Sequence, residues 1–169
     1  MNRWVVAVDD PHAPDVLDLL EQHLAFAMAN TRRENVHALD LEGLVQPNVT
    51  LVSLREDGEL LGVGALKQLD PDHFELKSMH TATSARRRGV GRALVEHMLA
   101  AAADKGARRV SLETGSQAAF APARALYANC GFAACEAFGD YPPRSTSTFL
   151  TRRLESSVAW HADSSLDSK

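Results

Sequence analysis

Residues 86 to 92 read Arg-Arg-Arg-Gly-Val-Gly-Arg. The run follows a strand-like stretch, Phe74 to Thr81, and opens a helix-like one, Gly91 to Lys105. Glycines at that junction let the chain turn tightly and bring its N–H groups close to a ligand. A helix N-terminus adds unpaired donors and about half a positive charge, so the place suits a phosphate. Four arginines add bidentate partners for phosphate oxygens, although the same run also reads as a solvated basic turn. Two phosphate-binding folds fit poorly. A P-loop needs Gly-Lys-Ser/Thr after the second glycine, where Arg92-Ala93 stands, and a Rossmann fingerprint needs a third Gly or Ala where Leu94 stands.

The flanking patterns give an order of elements. Arg3 to Val8 reads as a strand, and Val16, Leu17, Leu20, Leu24 and Ala27 recur with the spacing of a helix face. His37 to Leu44 reads as a second short helix. Val49 to Arg55 and Leu60 to Leu69 are joined across Asp57-Gly58, a hairpin signal that predicts antiparallel pairing. Phe74 to Thr81 follows as a strand, with Phe74, Leu76 and Ser78 expected on one face and Glu75, Lys77 and Met79 on the other. In the helix after the basic turn, Leu94, Val95, Met98, Leu99 and Ala102 form one stripe, and Gly106 suits its end. Arg109 to Glu113 is a short strand. Pro122 opens a helix carrying Ala123, Leu126, Tyr127 and Cys130 on one face. Phe132 to Ala137 and Thr148 to Arg153 close the series. The order is βα(α)βββαβαββ, a mixed α+β sheet with helices on its faces.

Size and charge narrow the classes. The chain of 169 residues suits a single domain, expected over residues 1–154, with a Ser- and Asp-rich tail from 155 to 169. A formal charge of −4 provides no basic field for nucleic acid or an anionic membrane. Cys130 and Cys135 cannot make a disulfide framework, and both read as packing residues, so a reducing cytoplasm is the expected compartment. No HExxH or CxxC pair occurs, and no metal is expected.

Arg86-x-x-Gly89-x-Gly91, after a strand and opening a helix, resembles the acetyl-CoA signature of the GNAT superfamily of acyl-CoA N-acyltransferases. Ala123-Arg124-Ala125-Leu126-Tyr127-Ala128-Asn129-Cys130-Gly131-Phe132 is similar to the superfamily's Ala-x-x-Leu-Tyr-x-x-x-Gly-Phe motif. The element order resembles that fold from about Arg3 to Leu154. The resemblance implies a central, mostly antiparallel twisted sheet flanked by helices. It also implies an acetyl-CoA-dependent N-acetyltransferase acting on a primary amine by direct transfer. Backbone groups of Met79, His80 and Thr81 would meet the pantetheine arm, and Arg86 with the amides of Arg87, Arg88, Gly89, Val90, Gly91 and Arg92 would hold the pyrophosphate. Tyr127 would lie near the thioester sulfur. Glu75, eleven residues before Arg86, falls where a general base sits in the superfamily's histone acetyltransferases. Acceptor groups would come from the loops Asn30 to Asn35 and Gly139 to Ser145. Two positions depart from the pattern: Phe120 stands where many members carry a cofactor-contacting Asn, and Thr83 where a Pro is usual. The implied partner is a small-molecule amine, with no nucleic acid and no membrane, and a homodimer is left open. An acyl-CoA-binding sensor without turnover, and a protein lysine or N-terminal acetyltransferase, are the rival readings.

The chemistry asks for two groups. An alkylammonium with a pKa near about 10.4 must lose a proton before it attacks a thioester. Glu75 is the positional candidate for the base, with Glu113 and His80 behind it, and strict alternation puts His80 on the face opposite Glu75. A phenol near about 10 is a weaker acid than a thiol near about 8.5, so Tyr127 would stabilise the thiolate by hydrogen bonding as readily as by full proton transfer. Outside these motifs the tail is poor in core-forming side chains. Deleting residues 155–169 is expected to leave the melting temperature and acetyl-CoA binding nearly unchanged. A loss of several degrees in a thermal melt would show instead that Val158-Ala159-Trp160 docks on the domain or a neighbouring subunit.

Overall fold

The computed structural model describes residues 3–32 and 40–155. Strand β1 (Trp4–Val8) leads into helix α1 (Pro14–Asn30), which starts on a proline whose missing N–H costs nothing in the first turn. Asp40 caps the short α2 (Leu41–Leu44) by accepting from the Gly43 N–H at 2.9 Å. Residues 37–39 of that expected helix, and 33–35 of the expected acceptor loop, lie outside the described residues. Strands β2 (Val49–Glu56) and β3 (Glu59–Asp70) form the predicted hairpin. Asp57 and Gly58 take φ of 49° and 87°, the two left-handed residues that such a tight turn requires. β4 (His73–Thr81), α3 (Val90–Asp104), β5 (Arg109–Gly115), α4 (Ala121–Asn129), β6 (Ala133–Ala134) and β7 (Ser147–Arg153) complete the order. Among the described residues no helix is long and apolar enough to cross a membrane.

The seven strands form one sheet in the order β1-β2-β3-β4-β5-β7-β6. Among the described residues only β4 and β5 pair in parallel. The predicted stripe of α3 is buried in full: Leu94, Val95, Met98, Leu99 and Ala102 pack on one face of the sheet, with Phe74, Leu76, Val110 and Leu112 beneath them. Val16 and Leu19 of α1 pack on the other face against Leu51, Val63 and Ala65. β6 is shorter than the sequence predicts. The chain leaves it so that Phe138 and Tyr141 can turn inward, where both rings pack edge-on or tilted against Phe149 of β7.

Two features of β4 decide what lies at the centre. Its ladder with β5 ends where Leu76 stands opposite Leu112, and the register with β3 slips between Val63 and Ala65. Lys77 opposes Ala65, whereas His80 opposes Val63. Residues directly opposed across an antiparallel pair share a face, so Glu75, Lys77 and His80 all lie on the α1 side. The extra residue is Ser78, at φ 55°, and it shifts the alternation by one. His80 is therefore on the same face as Glu75, contrary to strict alternation. Met79 joins the α3 side instead, where its sulfur and Met98 cover Gly64.

The shifted His80 docks α1. Its ring lies edge-on to His23 at 5.3 Å, with the two Nδ1 atoms 3.3 Å apart, and Phe26 packs against it at 6.4 Å. Burial, followed by the charges of His80 and Lys77, pushes His23 down to about 4. Burial, then Arg86, also lowers His80, and a second buried ring, His73, is lowered by burial and Arg109. An unfolded chain protonates these rings from about pH 6.5, and the folded chain resists. The contribution of these neutral rings is thus complete above about pH 6.5 and is lost as pH falls towards 4, by up to about 1.4 kcal/mol per unit for His23. Urea midpoints at pH 7.5, 6 and 5 should fall in that order, and a folded His23→Phe variant should show a shallower fall.

Candidate active site

The turn before α3 is built by two glycines with different duties. Gly89 sits at φ 86° and caps the helix, and nothing would touch a Cβ there, so the backbone conformation alone demands glycine. Gly91 is needed for packing, because a Cβ on it would lie 2.9 Å from a methyl of Leu126 on α4. Gly91 thus has a packing reason that the sequence does not show: it lets α4 close against the start of α3. No side chain among the described residues caps this fifteen-residue helix, so its first N–H groups have no intrahelical or capping partner.

The arginines divide. Arg86, Arg87 and Arg92 line a cavity of about 630 Å³ that runs along the turn and down the β4 edge. Arg88 does not line it: its guanidinium holds both carboxylate oxygens of Glu56 at 2.9 Å and lies 5.8 Å from the Trp4 ring centre. Arg92 also pairs with Glu96 at 3.0 Å along the helix surface.

Beyond the turn, the cavity follows the gap between β4 and β5. Lys77, Ser78, Met79, His80 and Thr81 line one side and Glu113, Thr114 and Gly115 the other. On its β5 side, β4 has no strand partner after Leu76. The hydroxyls of Ser78 and Thr146 are buried without a hydrogen-bond partner among the described residues. Tyr127, 6% exposed, also lines the cavity; burial raises its phenol above the usual range, and its ring packs edge-on to Phe132 at 5.9 Å. Phe120, in place of an amide side chain, meets Phe26 edge-on at 5.3 Å and makes an aromatic wall.

Glu75 is placed differently from Tyr127. It is 2% exposed and stands behind the cavity rather than on its wall. The Tyr141 hydroxyl donates to its Oε2 at 2.5 Å, and Lys77 Nζ lies 3.4 Å from the same oxygen. Lys77 also donates to the Tyr141 hydroxyl, so the three groups close a buried triangle. Burial lowers Lys77, while burial followed by the Glu75 carboxylate raises Tyr141. Burial also raises Glu113 against the opposing effect of a hydrogen bond with Ser147. Lys77, Tyr141, His23 and Phe26 were not named from sequence as site residues, although Lys77 is a natural ion-pair partner for Glu75 and Tyr141 belongs to the expected acceptor loop. Cys130 and Cys135 are free thiols, raised by burial, and neither lines the cavity.

The Acetyltransferase (GNAT) family model matches residues 16–132. The chain is 43% identical over 149 residues to the uncharacterized N-acetyltransferase YsnE of Bacillus subtilis, covering 88% of this chain and 99% of that protein. It is 42% identical over 151 residues to the uncharacterized N-acetyltransferase YedL of Escherichia coli, covering 89% and 95%. A crystal structure of a GNAT family acetyltransferase from Elizabethkingia anophelis with acetyl-CoA bound superposes with a TM-score of 0.68. At 17% identity, over 91% of this chain and all of that one, it shares the fold. A strand gap entered beside an uncapped helix, a tyrosine buried at its wall and this kinship in sequence agree: the chain belongs to the GNAT family of acetyltransferases.

Proposed function

We propose that the chain transfers an acetyl group from acetyl-CoA to a primary amine of a small molecule by direct attack of the amine on the thioester. One observation carries this reading. A single cavity joins the uncapped N-terminus of α3, with three arginines beside it, to Tyr127 and a set of buried ionisable groups. The residues present fit acetyl-CoA: free helix N–H groups and arginines suit a pyrophosphate, and the unpartnered β4 edge offers backbone groups to an amide-bearing arm. The unpartnered Ser78 hydroxyl likewise needs a polar atom that a ligand can bring. When bound, acetyl-CoA supplies the activated acyl group.

The chain's own residues then divide the work. Val90, Gly91 and Arg92 amides hold the diphosphate, with Arg86, Arg87 and Arg92 side chains around it. Tyr127 stays protonated because burial disfavours its phenolate, so its hydroxyl is available to donate to a developing thiolate in a dry place. Glu75 takes the proton from the amine through Tyr141: the amine proton passes to the Tyr141 oxygen as the Tyr141 proton moves to the Glu75 carboxylate. Lys77 steadies both partners of that exchange.

The test begins with acetyl-CoA binding by calorimetry and a thiol-release screen over amines. Binding without release from any amine would leave a sensor in place of an enzyme. On an accepted amine, Tyr127→Phe keeps the ring and is expected to lower kcat by roughly 10² to 10³ with acetyl-CoA affinity held, as for loss of one preorganised donor. Glu75→Gln is expected to lower kcat on the same amine with acetyl-CoA affinity held. An unchanged kcat in a folded Tyr127→Phe chain, with chemistry rate-limiting, would remove the hydroxyl from the mechanism.

A further inference from the structure

The last rung between β4 and β5 joins Leu76 to Leu112, and the next residue on each strand is charged: Lys77 on β4 and Glu113 on β5. Both side chains line the cavity, one on each side of the opening. Each favours the charged form of the other, yet among the described residues no ion pair within 4.0 Å joins them. Two opposite charges thus face a common space without closing on each other.

Neither is well served by water. The Lys77 side chain is 8% exposed and spends two donors on Glu75 and Tyr141. An ammonium has three N–H groups, so one has no acceptor among the described residues. Glu113 is half-buried, with Ser147 as its hydrogen-bond partner. Desolvation penalises both charges, and each gains from a counter-charge brought in by a ligand. A simple amine would answer Glu113 and be repelled by Lys77; a simple acid would do the reverse. A molecule carrying both charges answers both.

We propose that Lys77 and Glu113 are the two poles of an acceptor subsite for a zwitterionic amine, an α-amino acid being the simplest case. Its ammonium sits on Glu113 until it gives up a proton through Tyr141, which lines the same cavity, and its carboxylate sits on Lys77. The inference rests on the acetyl-transfer reading above and names the class of acceptor for that same cavity. Glu75 and Tyr141 hold the Lys77 ammonium in place from behind. Phe26 and Phe120 offer an apolar wall to the acceptor's side chain.

The experiment measures thiol release from acetyl-CoA by the full chain on matched acceptors with and without the carboxylate. Phenylalanine is set against 2-phenylethylamine, and methionine against 3-(methylthio)propylamine. The amino acid of each pair is expected to have a kcat/KM at least about tenfold higher, since without the carboxylate the third N–H of Lys77 lacks its acceptor and the amine's charge meets that of Lys77 uncompensated. Lys77→Met should collapse that ratio towards one, and Lys77→Arg should retain part of it. Equal kcat/KM within the pairs, or turnover confined to amines outside both series, overturns the subsite and leaves acetyl transfer standing. No release from any amine overturns both. Should Lys77→Met fail to fold, the ratio in the unaltered chain decides alone.

Discussion

The single residue inserted into β4 at Ser78 carries most of what this structure does. A strand in register with both neighbours would continue its ladder to β5 and leave no opening between them. Here the β5 ladder stops at Leu76, the β3 register slips by one, and the strand end is aimed away from β5. The gap that results is the cavity. The same slip turns His80 towards α1, so the helix that roofs one face of the sheet is tied to the strand that borders the opening. Ser78 holds a left-handed φ without being glycine, a conformation that costs of order 1 kcal/mol or more and must be held by its surroundings.

Several buried polar groups within the sheet are answered by one another. Glu75 has Lys77 and Tyr141, and Ser111 lies between His73 at 2.7 Å and Thr151 at 2.8 Å. Such groups add little net stability, because desolvation offsets their attraction. Removing one member is a different matter, since it strands a buried partner, at a cost of roughly 3 to 5 kcal/mol for a buried ion pair. Specificity of arrangement is what they contribute. Tyr141 is fixed over β4 from a loop 66 residues further along the chain.

Much of the scaffold was legible because it depends on local pattern. Asp57-Gly58 can hardly be anything but a tight turn, and the stripe of α3 repeats at helical spacing without interruption. The turn at 86–92 and Tyr127 were legible as motifs, and both reach the cavity. What was not legible depends on non-local events. A bulge has no residue signature at Ser78, so the face of His80 could not be read from alternation. Lys77 looks like an exposed strand residue until a loop from the far end of the chain covers it. The glycine at 91 shows its reason only once Leu126 arrives from α4. Glu75 was legible by position, while its place behind Lys77 and Tyr141 was not.

Arg88 lines no part of the cavity, but it links the turn to the two strands at one edge of the sheet. Glu56 ends β2, Trp4 begins β1, and those two residues are themselves paired. Turn and edge strands are therefore tied by a bidentate fork that is exposed, so the tie is modest in energy and weakens as salt rises. β1, an edge strand of the kind that frays first, thus has a tether to the turn in addition to its own ladder, through the Trp4 ring that Arg88 overlies.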